Sequence, residues 1–363
     1  MKLTLIRILI ATALAWAAPA TATSKTRIDA PTFGKWSLGC SNSGLCFTST
    51  FIRDQSTWLD LRIVRDWPAA AGPLLRMTAN APLDSDGTIQ FRVDGVAVEA
   101  LPVTQLREIQ SSIPVPDGFR PLGGAGFWYP SGPATVTMLN AMAKGATLAI
   151  DLPIDGSIVT TAIPLEGIRL ALNWLDDRQN RAKTVTAIAN PGTEPAQDAP
   201  HAIPVLSPDS LPPAVLAAWN TNKLCSGIDP AIFASLDAVA APMASNSTLY
   251  ILPCGAPSAY NTPYVAIQSL NGGTARQLYL ARMSEQGPLA TDLIYNAKWN
   301  TKTNELDGLF KGSGVADCGT WSRWTWTGAT FVLKQELTRQ KCDGQETPIS
   351  DWSSSWPIKT TDK

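Results

Sequence analysis

The sequence has very little histidine and a low share of charged side chains. Its 363 residues include one histidine, His201, and only 16% of them are charged. One imidazole cannot build a His-rich zinc, copper or non-haem iron site, and His201 lies among prolines, where we expect it to be solvated rather than to serve as a catalytic base. The sequence therefore predicts no metal site, no cofactor and no imidazole-based catalysis.

The sequence also lacks an excess of either charge sign. It has 29 basic and 30 acidic residues, which leaves a formal net charge of -1. Without a basic field a protein has little attraction for phosphate backbones, so nucleic-acid binding is disfavoured. The 45% share of hydrophobic residues is typical of a globular chain and not of a disordered polyelectrolyte.

The first residues have the pattern of an export signal. Residues 1–22 place Lys2 and Arg7 around an apolar run that ends near Trp16, followed by the small residues that a signal peptidase accepts. No later apolar run is long enough to span a membrane. We expect a signal peptide at 1–22, a mature chain without stable membrane insertion, and a location in the periplasm of a Gram-negative bacterium or outside the cell.

Six cysteines in an exported chain are expected to form disulfides. Their positions form three couples that are close in sequence, and we predict the pairs Cys40–Cys46, Cys225–Cys254 and Cys318–Cys342. A reactive or metal-bound thiol is the alternative, which the absence of a Cys-x-x-Cys motif disfavours.

A proline-rich segment divides the chain. Seven prolines lie between Asn190 and Pro213, among small and polar residues, which predicts an extended linker. We expect an N-terminal β-rich domain over residues 25–190, a linker over 191–213 and a C-terminal β-rich domain over 214–363, each long enough to bury its own core.

Hydrophobic periodicity predicts an α+β fold made of two mainly antiparallel-β domains. The predicted disulfides would crosslink these domains internally. In the first, alternating residues predict hairpins that turn at Asp94-Gly95 and Asp155-Gly156. Two helices, one after Pro133 and one after Gly167, would complete a β-sandwich-like domain; their predicted apolar positions are Val136, Leu139 and Ala143 in one and Ile168, Ala171, Leu172 and Leu175 in the other.

The pattern of the second domain predicts short N-terminal helices followed by a β-meander. Pro213 and Asp229-Pro230 are typical of helix starts. Strands follow to the end of the chain, and the last hairpin turns at Thr327-Gly328, so that a Cys318–Cys342 bridge would close its open end.

Four groups of residues carry a resemblance to a known family. They are Phe33-Gly34-Lys35-Trp36 with Cys40-Ser41-Asn42 and Cys46; Leu165-Glu166-Gly167 with Leu175-Asp176-Asp177-Arg178-Gln179; Pro253-Cys254-Gly255 with Ala259-Tyr260-Asn261; and Lys311-Gly312-Ser313-Gly314 with Asp317-Cys318-Gly319, Trp324-Thr325-Trp326-Thr327-Gly328, Cys342 and Trp356-Pro357. In these, the mature chain resembles an uncharacterised family of exported bacterial proteins, the domain-of-unknown-function family eleven-seventy-six. Its N-terminal half is also similar to the invasion-associated locus B family. The second resemblance implies a β-sandwich-like domain and an envelope role, and neither carries a chemistry over.

Tryptophans give the main lead to a binding site. Trp321, Trp324, Trp326, Trp352 and Trp356 crowd into the C-terminal end of the chain, and Trp324 and Trp326 share one strand face. They either pack the core of a small sheet or form an exposed shelf for a sugar ring or a protein partner. The residues predicted for such a binding site are Tyr260, Asn261, Asp317, Arg323, Trp324 and Trp326.

Paired carboxylates are the alternative lead. Glu305 and Asp307 share a strand face, as glycosidic hydrolysis by two carboxyl groups would require, although a solvated sheet edge is the simpler interpretation. Asp176 and Asp177 diverge on a helix, and Gly312-Ser313-Gly314 is typical of a turn.

The sequence thus favours a non-enzymatic binding or interaction protein of the cell envelope, with an envelope protein or glycan as its partner. One alternative is an envelope glycan hydrolase using paired carboxylates. Another is a secreted inhibitor of hydrolases such as lysozyme, which would present Tyr260-Asn261 or the Gly312 loop to its target.

Overall fold

Antiparallel strands dominate the part of the chain that the structure describes. This computed structural model describes residues 31–358 except 55–56, 80, 107–124, 130–131, 244–245, 271–272 and 346. The predicted signal peptide lies outside the described residues. We call residues 31–190 the first half, 191–213 the Pro-rich segment and 214–358 the second half.

The first half contains two antiparallel sheets. Their strands are β1 (Thr32–Phe33), β2 (Trp36–Cys40), β3 (Cys46–Asp54), β4 (Thr57–Arg65), β5 (Leu74–Ala79), β6 (Thr88–Val93), β7 (Val96–Pro102), β8 (Ala125–Tyr129), β9 (Thr147–Ile154) and β10 (Ser157–Pro164). One sheet has the order β1-β2-β3-β4-β5-β8 and the other the order β10-β9-β6-β7. The two sheets and two helices share one hydrophobic core.

Both predicted hairpins of the first half are confirmed. β6 and β7 join at Asp94-Gly95, where φ is 50° and 82°. β9 and β10 join at Asp155-Gly156, where φ is 51° and 70°. Two successive residues in the left-handed region match the twist of the flanking strands, which is why this turn chemistry is a strong signal in sequence.

Two helices of ten and eleven residues cover the sheets of the first half, α1 (Pro133–Met142) and α2 (Ile168–Arg178), and residues 103–106 are also helical. The predicted apolar face of α2 is confirmed, since Ile168, Ala171, Leu172 and Leu175 are buried. The predicted face of α1 is wrong in one position, because Val136 is exposed whereas Thr135 and Met138 are buried beside Leu139. Tertiary packing decides which side of a helix faces the core. The sequence pattern does not distinguish that side from one that is rotated by a single residue.

The Pro-rich segment lies against both halves. Its amide at Ala199 donates to the carbonyl of Trp67, and Ala202 N donates to Ser43 O. The expectation that His201 is solvated is wrong, because its half-buried ring stacks on Trp67 with centroids 3.6 Å apart. Ile203–Pro204 forms strand β11, the edge of a sheet in the second half.

The second half begins with α3 (Pro213–Asn220), α4 (Lys223–Ser226) and α5 (Pro230–Ala234), and Asp229 caps α5 as predicted. Its strands are β12 (Val239–Met243), β13 (Ser247–Pro253), β14 (Pro263–Leu270), β15 (Thr274–Gln277), β16 (Leu280–Ser284), β17 (Gly287–Thr291), β18 (Ile294–Tyr295), β19 (Lys298–Asn300), β20 (Glu305–Lys311), β21 (Gly319–Trp326), β22 (Phe331–Arg339) and β23 (Ser353–Trp356).

These strands form three sheets. β11 to β15 lie in sequential order with β18 also paired to β14, β16 pairs with β17 alone, and β19 to β23 form a five-stranded sheet. One core lies between the two larger sheets, and a second packs the helices α3 to α5 against the other face of β12 to β14. Among the described residues, no helix combines the length and apolar character needed to cross a membrane.

All three predicted disulfides are present. The pairs are Cys40–Cys46, Cys225–Cys254 and Cys318–Cys342. Cys40 and Cys46 face each other across the β2–β3 hairpin. Cys318 and Cys342 lie just outside the β21–β22 hairpin, whose Gly319 is paired with Arg339, so this bridge closes the open end as expected.

Candidate functional site

Trp324 and Trp326 lie in the core of the second half. Their exposed fractions are 2% and 8%, and the Trp324 indole N–H donates to the carbonyl of Ala281 at 2.7 Å. Trp326 packs edge-on against Phe331, with centroids 5.1 Å apart. The core interpretation of these two rings is therefore correct, and the exposed-shelf interpretation is wrong for both, because β16 and the facing sheet cover that face of β21.

Arg323 faces away from these rings. It lies directly opposite Asp307 across the β20–β21 pair, and its Nε and Nη2 each donate to an Asp307 carboxylate oxygen at 2.7 Å. Its guanidinium carbon also lies 5.0 Å from the ring centroid of Trp321. Arg323 is thus part of a charged cluster on the other face of the sheet and does not rim a tryptophan shelf.

Glu305 and Asp307 belong to that same cluster. The expectation of a solvated edge is wrong, since β20 has β19 on one side and β21 on the other. Burial raises the pKa of Asp307, although its hydrogen bonds with Arg323 act in the opposite direction. A glycosidase needs one carboxyl group free to protonate the leaving oxygen. Both Asp307 oxygens instead accept from Arg323, and Glu305 Oε2 lies 3.9 Å from the same guanidinium.

Tyr260 and Asn261 lie beside the loop that follows β20. The buried Asn261 side chain accepts from the backbone N–H of Lys311 at 2.9 Å and donates to the Lys311 carbonyl at 2.8 Å. Asn296 ties the same place from a third segment, donating to the carbonyls of Tyr260 and Leu309 at 3.1 and 2.9 Å. Three chain segments distant in sequence are therefore fixed to one another by side-chain amides.

Asp317 braces the far end of the same loop. Its side chain is 1% exposed and accepts from the Ser313 hydroxyl and from the Gly344 amide, the latter at 2.6 Å. These hydrogen bonds, that of Ser313 first, hold the pKa of Asp317 below its ordinary value. Asp317 is therefore a structural carboxylate, and the Gly312-Ser313-Gly314 turn is held from both sides, by Asn261 and by Asp317.

This bracing presents apolar side chains to solvent. Tyr260, Phe310 and Val315 have exposed fractions of 39%, 41% and 61%. The half-buried Tyr295 ring packs edge-on against Phe310, with centroids 5.2 Å apart, and the Tyr260 ring lies 3.8 Å from the place of a Cβ on Gly314. We call Tyr260, Tyr295, Phe310 and Val315 the end surface.

Of the six predicted binding residues, the structure brings together Tyr260, Asn261 and Asp317, with only Tyr260 open to a partner. Sequence reasoning missed Phe310, Tyr295 and Val315. Alternation along β20 places Phe310 on the core face with Leu306, and no local signal indicates that the core ends before it. Val315 follows a glycine-rich turn, where a lone apolar residue carries no periodic pattern.

The described residues contain one group of metal-ligand types within reach of each other, Asp317, Cys318 and Cys342. Cys318 and Cys342 form a disulfide, so the group offers no thiolate to a metal.

The family described as "Protein of unknown function (DUF1176)" matches residues 31–359. The chain belongs to the DUF1176 family. It is 25% identical to the uncharacterized protein YpfG of Escherichia coli (strain K12), over 96% of each chain. The crystal structure of invasion associated protein B from Bartonella henselae is 19% identical, covers 41% of this chain and 97% of its own, and superposes with a TM-score of 0.30.

In this DUF1176 protein, a buried polar network accounts for the sequence block Leu175-Asp176-Asp177-Arg178-Gln179. Asp176 accepts from Arg65 Nη1 at 2.8 Å and from the amides of Ile188 and Ala189. Gln179 accepts from Arg65 Nε at 2.6 Å and donates to the carbonyl of Gly44 at 3.1 Å. Asp176 and Gln179 are buried, each at most 2% exposed, and their hydrogen bonds hold the fold together.

Arg178, between them, has a different environment. Its side chain extends to the second half, where its Nη1 donates to Oδ1 of Asn300 in β19 at 2.7 Å. Asp177 is exposed and its carbonyl accepts from Lys302 at 2.9 Å, so the two adjacent aspartates diverge as predicted.

Proposed function

We propose that this DUF1176 protein is a non-catalytic, exported binding protein of the cell envelope that contacts a protein partner through the end surface. The observation that carries the proposal is the exposure of Tyr260, Phe310 and Val315 on a rigid support. Apolar and aromatic side chains that are fixed before binding lose little conformational entropy on contact, which is the property of an interface hot spot.

The shape of the end surface favours a protein partner over a glycan. Sugar stacking uses an open, flat aromatic face. Tyr295 and Phe310 meet at 66° and so do not form a common platform, and the most exposed member of the surface, Val315, is aliphatic. A protein groove can enclose such an uneven apolar surface.

Export and an envelope location are part of the proposal. Three disulfides are typical of proteins from oxidising compartments, and residues 1–22 have the pattern of a secretory signal. The absence of a strong charge of either sign also fits a specific apolar contact better than general electrostatic adsorption.

The test is affinity capture from the envelope fraction of the host cell with the mature chain as bait. The end-surface variant is Tyr260→Ser with Phe310→Ser. The matched control is Val96→Ser with Ile158→Ser, which removes two side chains of 68% and 63% exposure from the first half. We expect the wild type and the control to enrich the same envelope protein and the end-surface variant to lose it. Equal capture by all three baits, capture of glycan only, or no capture would contradict the proposal.

Inhibition of a hydrolase is a second candidate, favoured by the loop over residues 312–316. Its two ends are fixed by Asn261 and Asp317, and Val315 projects from it with 61% exposure. A rigid projecting loop loses little conformational entropy when it binds in an enzyme cleft. An assay of lysozyme activity with wild type and Val315→Asp tests it: we expect inhibition only by the wild type, and no inhibition by either protein would dismiss this candidate.

A further inference from the structure

Among the described strands that lie at a sheet edge, β10 is the longest, with eight residues. An edge strand presents a row of backbone N–H and C=O groups that another chain can pair with, so proteins usually shorten, bend or charge such strands. The opposite edge of the same sheet, β7, contains Glu99, and its pairing with β6 has a bulge at Phe91 and Arg92. β10 has no charged residue, and its pairing with β9 is regular throughout.

The backbone groups of Ile158, Thr160 and Ala162 face away from β9. Residues of an antiparallel strand direct their backbone groups alternately to one side and to the other. In β9 the carbonyl of Thr147 accepts from the amide of Asp94 beside β6, so the odd-numbered residues of β9 face β6 and the even-numbered ones face β10. The even-numbered residues pair with odd-numbered residues of β10, which leaves the three named residues directed outward. All three are exposed, and no described strand pairs with that side of β10.

This outward row is closed at both ends by side chains. Just before the strand, the amide of Gly156 donates to the carboxylate of Asp84 at 2.9 Å. At its last residue, the carbonyl of Pro164 accepts from the indole N–H of Trp36 at 3.2 Å. The open row is therefore short and has Thr160 at its centre.

The open row is complementary to a second copy of itself. When two copies of β10 pair antiparallel about a two-fold axis at Thr160, Thr160 lies opposite Thr160 of the second copy and Ile158 lies opposite Ala162. This register pairs every outward N–H and C=O group of the three residues in both copies. It also places a large side chain against a small one and brings no like charges together, because the strand is uncharged.

We propose that two copies of this chain dimerise through β10 and so join their four-stranded sheets into one continuous sheet. A second copy fits this edge better than an unrelated extended peptide does, because its strand is already ordered and its side chains match in register. The dimer uses the first half of the chain, whereas the end surface belongs to the second half.

The first test is sedimentation velocity of the mature chain over a series of protein concentrations, with two variants at Ala162. Ala162→Pro removes an outward N–H and keeps the bonds to β9, and proline is tolerated at such a position of an edge strand. Ala162→Ser retains the N–H and is the matched control. We expect the wild type and Ala162→Ser to dimerise alike, and Ala162→Pro to raise the dimer dissociation constant by about tenfold or more.

A pair of double variants tests the register itself. Ile158→Lys with Ala162→Lys places like charges opposite each other twice in the dimer, whereas Ile158→Lys with Ala162→Glu places opposite charges there. Both positions are exposed, so neither double variant disturbs the core. We expect the first to be monomeric and the second to dimerise.

Hydrogen exchange of the wild type gives a readout that needs no variant. The amides of Ile158, Thr160 and Ala162 should exchange slowly at concentrations where the chain is dimeric and rapidly where it is monomeric. A wild type that stays monomeric at every concentration, even one that binds an extended peptide at β10, would overturn the proposal. So would a dimer that Ala162→Pro leaves unchanged, equal behaviour of the two double variants, or exchange of these amides that does not depend on concentration.

Discussion

The side-chain amide of Asn42 donates a hydrogen bond to the backbone carbonyl of Asp237, 195 residues further along the chain, at 2.8 Å. The same side chain accepts from the amide of Trp299 at 2.8 Å, and the Asn42 backbone N–H donates to the Asp237 carboxylate. Asn42 has no exposed surface. The turn closed by Cys40 and Cys46 is therefore one place at which the first half is fixed to the second.

Replacing Asn42 by alanine should destabilise this contact strongly. The change leaves the Asp237 and Ala297 carbonyls and the Trp299 amide without their partner in a buried place. We expect a loss of about 2–4 kcal/mol in the free energy of unfolding, measured by urea denaturation. Asn190→Ala, which removes an exposed bond to Asn173, is the control and should cost less than about 0.5 kcal/mol. Equal effects would mean that the Asn42 contacts contribute nothing specific.

The Cys40–Cys46 disulfide should control how firmly the two halves are held. Replacing both cysteines by serine removes a constraint of about 2 kcal/mol on a short loop and frees the turn that carries Asn42. We expect faster hydrogen exchange at the Trp299 amide, which donates to Asn42. The corresponding pair of serines at Cys225 and Cys254 should leave exchange at Trp299 unchanged. Unchanged exchange in the first variant would show that the turn keeps its position without the bridge.

Stability should depend on pH through Asp317. Because hydrogen bonds from Ser313 and Gly344 hold its pKa below the ordinary value, its ionised form stabilises the folded state above about pH 3.9, and this contribution is lost as the pH falls through the lower folded-state pKa. We expect Asp317→Asn to lower Tm at pH 7 and the difference from wild type to narrow towards pH 2.5. Asp86→Asn, in an exposed turn, is the control. A difference in Tm that stays constant with pH would refute this role.

Local signals in the sequence predict the local structure well. The turns at Asp94-Gly95 and Asp155-Gly156 require residues that tolerate positive φ, and Asp229 satisfies the first amides of α5 with its side chain. The three disulfides join cysteines that are neighbours in sequence, so their pairing needs no knowledge of the tertiary fold.

The sequence does not indicate which apolar side chains are exposed or which residues distant in sequence come into contact. Trp324 and Phe331 are covered because β20 to β22 pack against a second sheet, whereas Phe310, on the same face as the buried Leu306, lies beyond that contact. Asn42 is of a residue type common in turns, whereas its hydrogen-bond partners lie 195 to 257 residues further along the chain. The division into domains at 25–190 and 214–363 stays a prediction.

The most direct test of the end surface is site-specific photo-crosslinking at Val315 in intact cells. A benzophenone amino acid at position 315 lies at the most exposed point of the surface, and the same group at Val96, 68% exposed in the first half, is the control. We expect one discrete adduct with an envelope protein at position 315, lost when Tyr260 and Phe310 are replaced by serine, and no such adduct at position 96. No adduct at position 315, or the same adducts at both positions, would contradict it.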